Sequence, residues 1–162
     1  MHMELEVKFK TEKYNYYNRA VGVIRQHNKF LIMKVDNSQY YHLPGGHIEI
    51  GEDSLSAVKR EIKEELDFDC IKANLFCIQE NFYEKKGVTH HGVEYYYLIE
   101  IDENVETINK EIEENDRGVA KHLSVRWVDL QELKETDLRP KTLKESIINT
   151  ALDSLVHIIQ RD

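Results

Sequence analysis

The chain has 162 residues, 41% hydrophobic and 32% charged, with 30 acidic against 22 basic side chains and a formal net charge of −8. That length suits one ordinary domain, and the composition is globular rather than disordered or collagen-like. The acidic balance argues against non-specific affinity for long nucleic acid, which needs basic surface to release counterions. No apolar run approaches the ~20 residues of a membrane-spanning helix. The opening stretch MHMELEVKFKTEKYNYYN has no apolar core like that of a secretory signal, so the cytoplasm is the expected compartment.

In chain order, 19–25 (RAVGVIR) and 29–35 (KFLIMKV) are rich in branched apolar residues and flank the polar break Gln26-His27-Asn28. They read as two strands joined by a hairpin. In YYHLPGGHIEIGEDS, Pro44, Gly45, Gly46 and Gly51 forbid a regular helix. A helix is expected over 53–66, capped by Asp53 or Ser54, with Leu55, Val58, Ile62 and Leu66 at helical spacing. Segments 71–83 and 92–102 read as strands, 103–122 as a polar acidic loop, and 124–128 as a short strand. Asp129 then caps a brief helix through Glu132. Thr142 and Glu145 have the spacing of a capping box, opening a last helix whose apolar stripe includes Leu143, Ile147, Ala151, Leu152 and Leu155. Cys70 and Cys77, if they share one strand, face opposite ways too far apart to bridge, and read as packing residues. Interleaved strands and helices predict a mixed sheet covered by helices.

On the helix over 53–66, a turn of about 100° per residue puts Glu64 near −60° and Glu65 near +40° from Glu61. The three carboxylates project from one arc, beside an apolar flank that anchors the helix. Clustered carboxylates are hard oxygen donors suited to Mg²⁺ or Mn²⁺. Taken alone, most Glu-rich helix faces are solvated surface, so the surrounding pattern decides.

From Gly46 the chain runs G-HIEIG-E-DSLSAVK-R-E-I-K-E-E-L-D-F. This resembles the Nudix box, G-x5-E-x7-R-E-U-x-E-E-x-G-U with U a bulky aliphatic residue. Gly46, Glu52, Arg60, Glu61, Glu64 and Glu65 match its fixed positions, and Ile62 and Phe68 are apolar where U is expected. Asp67 stands where the family has glycine. The position just past a helix often needs a left-handed backbone, which Asp adopts more readily than most residues, so the cost is about 1 kcal/mol or less. Leu43-Pro44-Gly45-Gly46, the preceding hairpin and Arg126-Trp127-Val128-Asp129 also look like Nudix features, extending the resemblance over most of 19–135.

The resemblance implies a single Nudix hydrolase domain over 1–162 with its box at 46–68, folded as an α/β/α sandwich with a mixed central β-sheet. It implies a pyrophosphohydrolase dependent on Mg²⁺ (or Mn²⁺). Glu61, Glu64 and Glu65 would bind the metal, helped by the carbonyl of Gly45. Arg60 would pair with Glu52 and organise the site, with Gly46 and Glu52 as structural members of the box. A base for the attacking water could be Glu61, or Glu94, Glu111, Glu113, Glu114 or Asp116 outside the box. For substrate contact the candidates are Lys34, Tyr83 and Tyr95, drawn from Arg25 and Lys34 and from the aromatics Tyr40, Tyr41, Phe82, Tyr83 and Tyr95 to Tyr97. Alternation puts Tyr95 and Tyr97 on one face and Tyr96 on the other, while His90 and His91 read as exposed turn residues. The expected partner is a small phosphorylated nucleotide-type molecule: a nucleotide-sugar, an ADP-ribose-like compound, a nucleoside triphosphate or a dinucleoside polyphosphate. Membrane and long nucleic acid are not expected, and a homodimer is left open. A non-catalytic nucleotide-binding sensor on the same scaffold is the alternative. Retention of every box glutamate disfavours it. An isoprenyl diphosphate isomerase would want a cysteine facing the metal, and nothing places Cys70 or Cys77 there.

Overall fold

The computed structural model describes residues 5–116, 118–149 and 152–162. Along the chain run β1 (Lys8–Lys10), β2 (Tyr14–Gln26), β3 (Lys29–Val35), β4 (Gly45–His47), α1 (Ser54–Leu66), β5 (Lys72–Lys85) and β6 (Val88–Glu100). Then follow β7 (Lys110–Asp116), β8 (Val119–Val128), α2 (Leu130–Glu135), α3 (Lys141–Asn149) and β9 (Val156–Arg161).

The rest is arranged around β2. His27 and Asn28 both take left-handed φ, 47° and 61°, so a two-residue turn folds β3 back along β2. The two strands pair only at Arg25–Phe30 and Gln26–Lys29. β3 then departs to pair antiparallel with β8. β4 takes the vacated edge of β2, setting Gly46 opposite Ala20 and Gly45 opposite Val21. On its far side β2 runs parallel to β6, which is antiparallel to β5, and β5 is parallel to β9. The strand order is β7-β8-β3-β2-β6-β5-β9, a mixed sheet as expected.

Alternation along β2 supplies both cores. Ala20 and Ile24 face α1 and pack with Ala57, Val58, Ile62, Leu66 and Ile99. Val21 and Val23 face α2 and α3 and pack with Leu133, Leu143, Ile147 and Tyr96. Helices therefore cover both faces of the sheet. α1 starts where Asp53 accepts the Ser56 N–H at 2.8 Å. It ends at Asp67, which takes the left-handed conformation (φ 58°, ψ 29°) that the family's glycine would hold. Leu55 does not belong to the buried stripe: it is 37% exposed, and Ala57 takes its place. Among the described residues no helix is long and apolar enough to cross a membrane.

Other expectations are corrected too: His90 and His91 are not exposed turn residues but lie half-buried in β6, stacked on Tyr83 and Phe82. The acidic stretch 103–122 is not a loop throughout, since β7 and most of β8 form a hairpin within it and beyond it. Only Ile112 and Leu123 face inward as apolar partners there, too thin a pattern to mark strands. α3 stops at Asn149, so Leu152 and Leu155 lie past it, and Val156–Arg161 is a strand rather than more helix. Ala151 lies outside the described residues. Thr142 sits inside α3 and caps nothing; its hydroxyl donates to Gln160 Oε1 at 2.6 Å, tying α3 to β9. Cys70 precedes β5 while Cys77 lies in it, and both are free thiols.

The approach of α1 to β2 leaves no room for a side chain at position 22. A Cβ on Gly22 would stand 2.6 Å from Ile62 Cδ1 and 3.2 Å from Ile99 Cγ1. Gly22→Ala is expected to destabilise by about 1–3 kcal/mol through overpacking. Combining it with Ile62→Val, which removes that methyl, should recover part of the loss. Urea unfolding of the two single variants and the double variant measures this; strict additivity would contradict the packing account.

Candidate active site

α1 brings its glutamates onto β4 because β4 begins with two glycines. A Cβ on Gly46 would lie 2.3 Å from Glu61 Cδ, so the carboxylate rests where a side chain would have been. Gly45 has φ +147°, and its Cβ would meet Ala20 O at 2.4 Å. Its N–H donates to Glu65 Oε2 at 3.1 Å, and its carbonyl accepts from Arg19 Nη2 at 3.0 Å.

Arg60 is the hub of the acidic arc. Nε and Nη2 donate to the two oxygens of Glu52 at 2.9 Å each, a bidentate pair. Nη2 also reaches His47 O at 3.1 Å. Nη1 donates to Glu61 Oε1 at 2.8 Å and Glu64 Oε2 at 3.2 Å. One guanidinium thus ties the loop before α1, through Glu52 and the His47 carbonyl, to two glutamates of the helix. Glu52 is held below the usual carboxylate range, chiefly by its hydrogen bonds from Arg60.

Glu65 behaves oppositely. Burial, then the Glu61 charge, push its carboxyl up to about 8 despite the Gly45 N–H. Glu61 is also raised, first by burial, against the pull of Arg60. Glu64 is 56% exposed in its side chain. These groups line a cavity of about 730 Å³, closed on the other side by Glu113, Glu114 and Lys121 of the β7–β8 hairpin. Glu114 and Lys121 are cross-strand partners there, and the Glu114 charge also helps to raise Glu65.

Among the described residues no three carboxylate, imidazole or thiol groups converge closely enough to hold an ion as they stand. Arg60, bridging Glu61 and Glu64, brings positive charge to this cavity together with Arg19 and Lys121. The donor set still fits a hard divalent cation: three glutamates and a backbone carbonyl lie around one cavity, and two of the carboxyls resist ionisation. A bound cation relieves that resistance.

A NUDIX domain model matches residues 16–147. The chain belongs to the Nudix family. Over 88 residues this Nudix chain is 30% identical to an 8-oxo-dGTP diphosphatase of Buchnera aphidicola subsp. Schizaphis graminum, covering 52% of the chain and 63% of that protein. Over 47 residues it is 47% identical to an ADP-ribose pyrophosphatase of Methanocaldococcus jannaschii, covering 27% of the chain and 28% of that protein. In both cases it spans less than two thirds of the curated relative. It superposes on a MutT protein from Bacillus halodurans with a TM-score of 0.67 at 17% identity, covering 87% of this chain and 86% of that one. That likeness is one of fold.

Of the other residues singled out in the Nudix sequence, Tyr83 lines a second cavity of about 450 Å³, which shares Arg19, His42 and His47 with the first. Lys34 and Tyr95 line neither cavity. Lys34 Nζ lies 5.1 Å from the Tyr41 ring centroid, and Tyr95 packs beside the α1 core. Glu111 is engaged by Ser124 and His122, and Glu113 by His122. Glu94 faces the second cavity, and the side chain of Asp116 lies outside the described residues. Arg19, His42 and His47 escaped the sequence reading. A charged residue inside the apolar run RAVGVIR was the one available signal for Arg19. His42 is pushed down to about 4 by burial and then by Arg19, so it is neutral near pH 7.

The Glu65 carboxyl gives a signed expectation. Its value is about 8 folded against about 4.5 unfolded, so its contribution to stability is full below about 4.5 and lost as pH rises through about 8. In chelator, wild type should lose stability relative to Glu65→Gln across that window, with the gap flat below it. Urea unfolding from pH 4 to 9 reads this; a gap unchanged throughout would refute it.

Proposed function

We propose that this chain, as a single Nudix domain acting in the cytoplasm, hydrolyses a diphosphate linkage between a nucleoside and another moiety, using Mg²⁺ (or Mn²⁺). The observation that carries the reading is the single cavity lined by Glu61, Glu64, Glu65 and Gly45, with the Glu61 and Glu65 carboxyls raised by burial. The match to the NUDIX domain and the likeness to two named pyrophosphate-cleaving enzymes support it.

Glu61, Glu64, Glu65 and the Gly45 carbonyl would hold the cation. When bound, it would neutralise the diphosphate and make a water more acidic. Arg60 orients Glu61 and Glu64 and locks the loop through Glu52, which makes it a positioning residue. Arg19 stands where both cavities meet, so it is suited to the phosphate that joins their occupants. Hydrolysis forms a P–O bond from water, breaks the bridging P–O bond and releases the water proton. Glu114 is the best-placed acceptor, since it faces the cavity opposite Glu65 while Glu111 and Glu113 are paired with His122. The reaction then depends mainly on positioning and electrostatics. The substrate is a small nucleotide, with the nucleoside side in the second cavity; neither a membrane nor long nucleic acid takes part.

A screen of nucleoside triphosphates, nucleotide-sugars, ADP-ribose and dinucleoside polyphosphates with Mg²⁺ or Mn²⁺ tests this. At least one should be cleaved, with kcat falling by about 10²-fold or more in Glu64→Gln or Glu65→Gln. Binding without turnover of any of them would favour the non-catalytic sensor.

A further inference from the structure

The second cavity holds a carboxylate that the phosphate chemistry does not use. Glu94, on β6, is 5% exposed and lines the chamber. Its Oε2 accepts the Tyr96 hydroxyl at 2.5 Å. Among the described residues, no Lys, Arg or His nitrogen makes an ion pair with it. Arg19 is its register partner on β2 but turns its Nη2 to Gly45 O. Two more polar atoms of the same walls are buried without partners: Arg19 Nε and Asn81 Oδ1. A buried carboxylate with one hydroxyl donor and no ion-pair partner keeps acceptor capacity unfilled, and so does an amide oxygen without a donor. What both lack is hydrogen-bond donors. Tyr17, Tyr40 and Tyr83 give the chamber aromatic walls.

An ionised carboxylate only accepts, through two oxygens side by side. Among the common neutral bases, guanine alone offers two adjacent N–H donors on one edge, from N1 and the 2-amino group. Adenine and cytosine place an acceptor beside their donor, and uracil sets one donor between two acceptors. A site built for two donors rejects a base that points a lone pair at it.

We propose that the second cavity takes a guanine base and that Glu94 is its specificity-determining residue, holding the N1 and 2-amino hydrogens. This extends the hydrolase reading, since the adjoining cavity would hold the phosphates of the same ligand. Arg19, His42 and His47 line both chambers and make them continuous. Tyr96 positions Glu94 without touching the base.

Calorimetric binding of nucleoside monophosphates tests the proposal apart from turnover, because they contain no anhydride to cleave. GMP should bind about 10- to 100-fold more tightly than AMP, CMP or UMP. IMP, which lacks the 2-amino group, should bind the unaltered protein at least about 10-fold more weakly than GMP. Glu94→Gln should erase the preference for GMP, with thermal melting confirming that it folds. If Glu94→Gln does not fold, the GMP–IMP comparison decides. Equal affinity for GMP and AMP, or for GMP and IMP, would overturn the proposal. So would an unchanged preference in a folded Glu94→Gln. If the hydrolase reading alone is wrong, the GMP preference persists and no diphosphate is cleaved.

Discussion

The contact on which the site depends is the seating of the Glu61 and Glu65 carboxyls against the backbone of β4. Gly46 leaves the space that the Glu61 carboxylate fills, and the Gly45 N–H holds Glu65. Nothing larger than glycine fits at 46 without displacing a carboxylate. The helix therefore delivers charge into a sheltered place, and burial rather than any single neighbour raises both groups. Arg60 offsets part of that charge and in doing so fixes Glu52, Glu61 and Glu64 relative to one another.

The fold serves that contact through β2. The strand gives its Ala20 face to the α1 core and its Val21 face to the α2–α3 core, and β4 can reach it because β3 leaves after two paired residues. Arg19, one residue before Ala20, falls at the join between two chambers, one acidic and one aromatic and polar. A ligand with a phosphate part and a flat polar part would span both.

The helix carrying the box was legible because its markers are local. Asp53, the 3.6-residue recurrence of Val58, Ile62 and Leu66, and the three glutamates on one arc need no tertiary knowledge. Even the departure at Asp67 was readable, since an aspartate just past a helix can take the left-handed backbone it shows. Leu55 misled because helical spacing does not fix which edge of the stripe stays covered. The β7–β8 hairpin was hidden by its composition: its strand residues facing the acidic cavity are polar like those facing outward, so Glu111 to Asn115 carry no apolar alternation. β9 was hidden by its neighbours. Leu152 and Leu155 continue the spacing of α3 by coincidence, while Val156–Arg161 earns its place by pairing with β5, a partner some 80 residues earlier. Arg19, His42, His47 and Asn81 meet only in three dimensions, and no spacing rule finds them.

On the proposed reading the α1 glutamates take up a divalent cation, and Glu65 gives up a proton when they do. Calorimetric titration of Mg²⁺ or Mn²⁺ at pH 7, in two buffers of different ionisation enthalpy, measures uptake and proton release together. Wild type should bind the cation with a heat that depends on the buffer, and Glu65→Gln should bind more weakly with a heat that depends on it less. No cation uptake by wild type, or buffer-independent heats in both proteins, would contradict the account.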